Sequence, residues 1–323
     1  MSQTLSQRRF VRYAWSVVGY LVLVILWGAF VRATGSGAGC GAHWPLCNGE
    51  IVPQSPTMET VIELSHRLTS ALAGFLIIGL VVWALRAFDN GHPARRAAWF
   101  SLLFVITEGA IGAGIVLFEW VAHDTSTARI ISIAAHLVNT FVLVAWLART
   151  AWWAQGHARP TWRVDGRWVA PALSIAGLVG LTLVVSTMGA ITALGDTLFK
   201  ADSTAQVLGQ ALDSGAHPLQ QLRVYHPLLA TLLVGWAFIA IPRIQSAFAD
   251  AWVQRWGTLV VATGFAQLAI GLLNIWLKAP VWMQLVHLLL ADVFWIGLIL
   301  FASQALSHPA RVRATAVPHA VPA

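Results

Sequence analysis

The sequence predicts an all-α polytopic membrane protein with eight transmembrane helices, arranged as two pseudo-symmetric four-helix bundles. Three observations support this fold class. The 323-residue chain is 58% hydrophobic and only 10% charged, which lies outside the composition of soluble globular domains. The chain contains eight apolar windows long enough to cross a bilayer. Histidines and glycine-rich segments also recur in the same order in its two halves.

The eight apolar windows follow one another along the whole chain. Each holds about 20 mostly apolar residues, the number that a helix needs to cross the hydrocarbon core. The windows are residues 14–31, 61–85, 97–117, 130–148, 169–194, 224–241, 256–277 and 281–306. The first is longer than the apolar core of a secretory signal peptide, so we expect it to remain as a helix and not to be cleaved.

The basic residues are distributed unevenly between the two sides of the predicted bundle. With the amino terminus inside, 14 of the 20 Lys and Arg fall in inner segments. Cytoplasmic loops carry such an excess. We therefore expect a bacterial inner (cell) membrane protein with both termini cytoplasmic and the loop containing Cys40 and Cys47 on the outer side. The net charge of +7 could suggest a nucleic-acid partner. We expect none, because no basic patch in the sequence alternates with aromatic residues.

Two histidines in each half lie near the outer ends of apolar windows. His66 and His136 belong to the second and fourth windows, and His226 and His287 belong to the sixth and eighth. An ionisable residue inside a span indicates function, although a single histidine can simply bind a neighbour. Zinc prefers three or four ligands, whereas haem takes two axial ligands and is common in bundle cores. We therefore expect a bis-histidine haem site in each half.

The two halves differ beside these histidines. Glu63 lies one helical turn before His66, whereas Arg223 lies in that position before His226. A carboxylate at a haem edge can perform acid–base chemistry, and an arginine suits a haem propionate. The N-terminal half is therefore the expected reacting site. The alternatives for Glu63 are solvation at the membrane surface or an ion pair with Arg67.

A second difference between the halves is Glu108 in the third window, where the seventh has Gln267. A carboxylate in the middle of a membrane is costly and is protonated or paired. Glu108 is expected to relay protons, to contact a substrate hydroxyl, or to make a structural hydrogen bond to a neighbouring helix.

Several motifs resemble the haem A synthase family over roughly residues 14–305. They are VRATGSGAGCGAHWPLCNG in the first outer loop, ELSHRLTS, AAHLVNT, YHPLLA and VHLLLADVFW. The resemblance implies oxidation of a methyl group of haem O to a formyl group, which gives haem A for terminal oxidase assembly, with haem b as cofactor. It also implies partners: a haem O synthase, oxidase assembly factors, an unidentified electron donor and a second copy of the chain.

The resemblance assigns a role to each marked residue, with the substrate haem site in residues 1–155 and the haem b site in residues 156–323. The assigned residues are Glu63 as the catalytic acid, His66 and His136 flanking the substrate haem, His226 and His287 as ligands of the haem b iron, and Arg67 and Arg223 as candidates for binding haem propionates.

Cys40 and Cys47 are the only cysteines in the chain. From the residues alone they could form a disulfide, bind a metal, act as a redox dithiol or have no role. The resemblance matches them to the loop cysteine pair of many bacterial members. It therefore favours a disulfide, either structural or redox-active. Some members have a second pair in the third outer loop, and this chain has none there.

Three other functions remain open from the sequence. The chain could be a di-haem b-type cytochrome that transfers electrons, a haem carrier or assembly chaperone, or a prenyltransferase that makes haem O. The asymmetry between Glu63 and Arg223 disfavours a plain electron relay. The chain has no Asp-rich pyrophosphate motif, which disfavours the prenyltransferase.

Overall fold

The computed structural model describes residues 4–160, 166–201, 203–248 and 250–307. The α-helices of this described part are α1 Leu5–Ala33, α2 Met58–Ala87, α3 Pro93–Leu117, α4 Thr127–Ala154, α5 Val169–Leu198, α6 Thr204–Leu212, α7 Pro218–Gln221, α8 Tyr225–Ser246, α9 Ala251–Trp276 and α10 Val281–Ala305. Within the same residues, eight helical segments are long and apolar enough to cross a membrane, and one of them joins α7 and α8 as Pro218–Ser246. The predicted all-helical, eight-span fold class is confirmed.

The eight predicted windows coincide with these spans, and most helices extend beyond the apolar part. Helix α1 already begins at Leu5 because Thr4 and Gln7 form a capping box, in which each side chain binds the backbone N–H of the other residue. Such caps satisfy N–H groups that have no partner within the helix. Hydropathy therefore locates the membrane-crossing part of each helix, whereas capping residues set its ends.

The helices of each half pack in a closed ring. In the first half α1 packs on α2, α2 on α3, α3 on α4 and α4 on α1. In the second half α5 packs on α8, α8 on α9, α9 on α10 and α10 on α5, and the two halves meet through α1, α4, α5 and α10. These contacts are the ones expected for two neighbouring four-helix bundles. Their pseudo-symmetry and the boundary after residue 155 stay predictions, and part of the predicted boundary loop, residues 161–165, lies outside the described residues.

The large hydrophobic core fills only one end of this assembly. We refer to the end that carries Cys40 and Cys47 as the loop side, and to the end where α1 begins and α10 ends as the terminal side. Most of the core comes from the terminal-side halves of the helices, such as residues 141–154 of α4 and 294–305 of α10. Helix α10 is central, since 50% of its most apolar 18-residue window is buried. The four marked histidines lie towards the loop side, outside this core.

Arg32, in the last turn of α1, joins the two halves on the loop side. Its Nη1 donates hydrogen bonds to the Ala193 carbonyl oxygen at 2.8 Å and to Thr197 Oγ1 at 2.9 Å, both in α5. Its Nη2 donates to Gln284 Oε1 of α10 at 3.0 Å. Separating the halves would leave this guanidinium without its partners, which is costly for a buried charge. Arg32 therefore fixes how the halves meet beside the histidines.

The predicted orientation in the membrane can be tested with reporter fusions. If both termini are cytoplasmic, green fluorescent protein fused after Ala323 should fluoresce, and alkaline phosphatase fused at the same point should be inactive. Phosphatase fused after Thr125, in a loop-side connection, should be active because that side faces outward. An active phosphatase after Ala323 together with an inactive one after Thr125 would show that the protein has the opposite orientation.

Candidate functional site

Each of the four marked histidines lies against a glycine of a neighbouring helix. The pairs join α1 to α2, α3 to α4, α5 to α8 and α9 to α10, which is the same pattern in both halves. A Cβ atom added to the glycine would lie nearest to the histidine Cε1 atom in every pair. The distances are 2.9 Å for Gly28 and His66, 3.9 Å for Gly112 and His136, 2.9 Å for Gly189 and His226, and 3.2 Å for Gly271 and His287. In three of the pairs the imidazole thus uses space that a glycine leaves open, whereas an alanine at position 112 would make an ordinary contact with His136.

The four imidazoles also share an orientation. All four residues are half-buried. The Nδ1 atoms of His66, His136 and His287 are buried without a hydrogen-bond partner in the described part of the chain. The Nδ1 atom of His226 lies 3.0 Å from the Val185 carbonyl oxygen. Because Nδ1 is turned into the protein in each case, Nε2 is the nitrogen left for a metal.

The C-terminal pair has the spacing of two ligands on opposite sides of one metal atom. The ring centroids of His226 and His287 lie 6.2 Å apart, and the ring planes cross at 88°. Metal–imidazole bonds of about 2.0 Å on two opposite sides place ring centroids roughly 6 Å apart. The described residues contain no cluster of three or more His, Cys, Asp or Glu that could hold a metal ion by themselves. His226 and His287 could therefore hold the iron of a haem between them.

In the N-terminal half, His136 has an acidic neighbour from α3. Glu108 Oε1 lies 3.4 Å from His136 Nδ1, an ion-pair distance at which the hydrogen-bond geometry is not met. Thr140 Oγ1 and Asn139 Nδ2, both from α4, donate hydrogen bonds to the same carboxylate. The structural hydrogen bond considered for Glu108 is thus present. A proton relay through Glu108 or its contact with a substrate stays a prediction.

Glu63 is buried in α2 and binds the loop that contains the two cysteines. Its Oε2 accepts a hydrogen bond from the Cys40 backbone N–H at 2.8 Å. Its Oε1 accepts hydrogen bonds from Nε and Nη2 of Arg67, whose Nη1 donates to the carbonyl oxygens of His43 at 2.6 Å and Leu46 at 2.7 Å. The ion pair considered for Glu63 is therefore present. The catalytic role of Glu63 and the propionate-binding role of Arg67 stay predictions.

Arg223 occupies the corresponding position in the C-terminal half and binds the end of α5. Its Nη2 donates to the carbonyl oxygens of Gly195 and Phe199, both at 2.6 Å, and its Nε lies 3.1 Å from Asp196 Oδ1. The last carbonyls of a helix lack intrahelical donors, so the guanidinium satisfies them. Glu63 and Arg223 therefore carry opposite charges at matching positions and bind different backbone groups. The carboxylate of Glu63 accepts from an N–H, whereas the guanidinium of Arg223 donates to carbonyl oxygens. Propionate binding by Arg223 stays a prediction.

Cys40 and Cys47 form a disulfide. Both are fully buried, and the loop is further closed by a 2.9 Å hydrogen bond from the Asn48 N–H to the Cys40 carbonyl oxygen. Because the Cys40 N–H binds Glu63, the disulfide lies directly beside the helix that carries His66. The structure has the disulfide that the resemblance favours. A redox-active role for it stays a prediction.

Sequence reasoning missed several residues that shape this region. Gly28 and Gly189 were detectable, because they recur with nearly the same spacing as His66 and His226. Asp292 in α10 is fully buried, and neither of its carboxylate oxygens has a hydrogen-bond partner in the described residues. An acidic residue in the eighth apolar window was the available signal for it.

Arg67 is expected to keep the disulfide away from solvent. Replacing Arg67 with Ala should speed reduction of the Cys40–Cys47 bond by about tenfold or more, because each lost charged hydrogen bond contributes about 1.5 kcal/mol or more to holding the loop closed. The measurement is the rate of thiol labelling of purified protein in dilute reductant. Arg86→Ala, an exposed residue at the other end of α2, is the control. Equal labelling rates in the two variants would contradict this role.

The chain is similar in sequence to several known proteins. The chain is similar to a protein named Protoheme IX farnesyltransferase from Thermus thermophilus, with 45% identity over 303 residues, which cover 94% of this chain and 49% of that protein. The chain thus spans about half the length of that relative. It is also similar to proteins named Heme A synthase. One from Alkalihalophilus pseudofirmus is 45% identical over 98 residues, covering 30% of this chain and 33% of that protein. Another, from Geobacillus kaustophilus, is 42% identical over 128 residues, covering 38% and 40% respectively.

A model of the family described as cytochrome oxidase assembly protein (COX15-CtaA) matches residues 11–299. The match runs from within the first span to within the eighth and includes both histidine pairs and the disulfide loop. The chain therefore belongs to the COX15-CtaA family of cytochrome oxidase assembly proteins, the haem A synthase family that its motifs resemble.

Proposed function

We propose that this chain is a haem A synthase, an oxidoreductase that converts a methyl group of haem O to a formyl group. The observation that carries the proposal is the set of four glycine-backed histidines, two in each half, in a chain of this family. The relatives named Heme A synthase support the same activity. The name of the Thermus relative does not transfer directly, since the chain matches only half of that protein.

The proposed reaction consists of two successive hydroxylations of one methyl group. The resulting geminal diol loses water and leaves the formyl group of haem A. The hydroxylations require an oxidant and electrons from a donor outside this chain. Haem b, when bound, supplies one-electron transfer.

The residues of each half support different parts of this reaction. His226 and His287 would hold the iron of haem b, since their rings are already 6.2 Å apart. His66 and His136 would flank the haem substrate and act as ligands of its iron. Glu63, one turn from His66, has a fixed carboxylate because the Cys40 N–H and Arg67 bind it. We propose that this carboxylate exchanges a proton with the reacting group, and that the loop bound to it limits water at the N-terminal site.

The proposed partners follow from the same reasoning. The chain would receive haem O from a haem O synthase, because a protein named for protohaem farnesylation contains a segment similar to this chain. Oxidase assembly factors, an electron donor and a second copy of the chain are further proposed partners. The eight spans place the protein in a lipid bilayer, and we propose the bacterial cell membrane, with the loop side facing outward.

A di-haem b-type cytochrome is the second candidate function. The observation that favours it is the equivalence of the four histidine–glycine pairs, which would suit two permanent haems. The pairs differ, however, in their surroundings, because only the N-terminal half has Glu63 and Glu108 near its histidines. A cytochrome would contain haem b alone whether or not haem O is available.

Replacing Glu63 with Gln tests its catalytic role. The variant should retain bound haem but form haem A about 10²-fold more slowly or worse, the usual loss for a general acid or base. The measurement is chromatography of extracted haems from purified protein. Glu59→Gln, an exposed residue one turn earlier on α2, should match the unmodified chain. Equal haem A yields from the two variants would exclude a catalytic Glu63.

Replacing Gly189 with Ala tests the C-terminal haem site. The added Cβ would lie 2.9 Å from His226 Cε1, and overpacking of about 1–3 kcal/mol would weaken haem binding roughly 5- to 150-fold. The measurement is haem b per protein after titration with haemin. Gly180→Ala, also in α5, has no neighbouring atom within 4 Å of its added Cβ and should bind haem normally. Normal haem binding by both variants would show that the position of the His226 imidazole does not depend on Gly189.

A further inference from the structure

The carboxylate of Glu108 is held in one orientation by α4. Its Oε2 accepts a hydrogen bond from Asn139 Nδ2, and its Oε1 accepts one from Thr140 Oγ1. Asn139 is itself fixed, because its Nδ2 also donates to the Phe104 carbonyl oxygen at 2.9 Å and its Oδ1 accepts from Thr107 Oγ1 at 2.7 Å. The carboxylate therefore cannot turn towards another partner without breaking bonds to α4.

This fixed carboxylate faces a nitrogen that has no other acceptor. Glu108 Oε1 lies 3.4 Å from His136 Nδ1, and that Nδ1 is buried with no hydrogen-bond partner among the described residues. The His136 side chain as a whole is 36% exposed, so the accessible part of the ring lies away from Nδ1. A small rotation of the ring would complete an Nδ1–H···Oε1 hydrogen bond. Histidines that bind metals commonly donate the second ring N–H to a carboxylate in this way.

The other three histidines have no such partner in the described residues. Gln267 in α9 is the counterpart of Glu108, and its Oε1 is buried without a hydrogen-bond partner, as is the Nδ1 of His287. His226 has a neutral backbone carbonyl at Nδ1. The carboxylate is therefore specific to the half that we propose as the reacting site.

We propose that Glu108 is a positioning residue that acts through His136, accepting its Nδ1–H and making it the most strongly electron-donating of the four histidines. This inference rests on the proposed role of the histidines as haem ligands. A carboxylate bound to a ligand histidine raises the basicity of that ligand and favours oxidised iron. A haem in the N-terminal half should therefore have a lower reduction potential than the same haem would have without Glu108.

The experiment compares two reciprocal variants, Glu108→Gln and Gln267→Glu, in the purified full chain saturated with haemin. Haemin places the same group in both halves, and potentiometric titration followed by absorbance resolves their potentials. Glu108→Gln should raise the potential of one component and leave the other in place. Gln267→Glu should lower the potential of the other component, because it introduces the carboxylate beside His287. The Gln amide can still bridge α3 and α4, because its oxygen can accept from Asn139 Nδ2 and its N–H can donate to Thr140 Oγ1, whose own proton can go to the His136 carbonyl oxygen.

A third variant, Thr140→Val, keeps the inference testable if Glu108→Gln loses haem or fails to fold. Thr140→Val removes a donor to the Glu108 side chain and keeps that side chain itself, so Oε1 is left with His136 Nδ1 as its nearest donor. It should lower the same potential that Glu108→Gln raises, whereas a purely structural role predicts changes of one sign in both variants. Unchanged potentials in all three variants, the same sign in Glu108→Gln and Thr140→Val, or the absence of a second haemin component would overturn the inference.

The outcome is separable from that of the proposed function. Haem A is measured in membranes from cells that make the unmodified protein. If no haem A forms but the potentials shift as described, the synthase proposal fails and the role of Glu108 stands. If haem A forms but the potentials do not change in the variants, the role of Glu108 fails and the synthase proposal stands.

Discussion

The arrangement of the candidate site depends on one repeated contact, an imidazole ring set against the bare backbone of a glycine one helix away. Even a methyl group on Gly28 or Gly189 would come within 2.9 Å of the opposing ring, closer than packed atoms tolerate. The contact brings neighbouring helices together at the depth of the histidines. In each of these rings Nδ1 is either buried without a hydrogen-bond partner or beside a backbone carbonyl among the described residues. Each half has two such histidine–glycine pairs, and the contact is close in every pair except that of Gly112 and His136.

A buried charge beside each pair then distinguishes the two halves. Glu63 and Arg223 both precede a histidine by one turn, and each binds backbone groups of a loop-side segment. The carboxylate binds an N–H of the disulfide loop, whereas the guanidinium binds carbonyls at the end of α5. Glu108 lies beside His136 in the N-terminal half, whereas the corresponding position in α9 is Gln267. The two halves therefore offer different electrostatic environments at matching positions beside their histidines.

The sequence predicted those features that depend on local pattern. Apolar windows located the eight spans, since length and composition decide whether a helix can cross a bilayer. The four histidines and the cysteine pair stood out because such residues are rare in apolar segments and loops of this kind. The partners of Arg32 could not be predicted, because they lie in the other half of the chain and depend on how the halves meet. The ion pair of Glu63 with Arg67 was among the alternatives that the sequence left open. The hydrogen bond from the Cys40 N–H to Glu63 could not be predicted, because it depends on the path of the loop.

The central claim is that the two histidine pairs hold haem and that the N-terminal pair holds a haem that reacts. Extraction and chromatography of the haems from purified protein test this claim most directly, comparing cells that make haem O with cells that do not. The account predicts haem b together with haem A when haem O is present, and haem b without haem A when it is absent. Haem b as the only pigment under both conditions would contradict it.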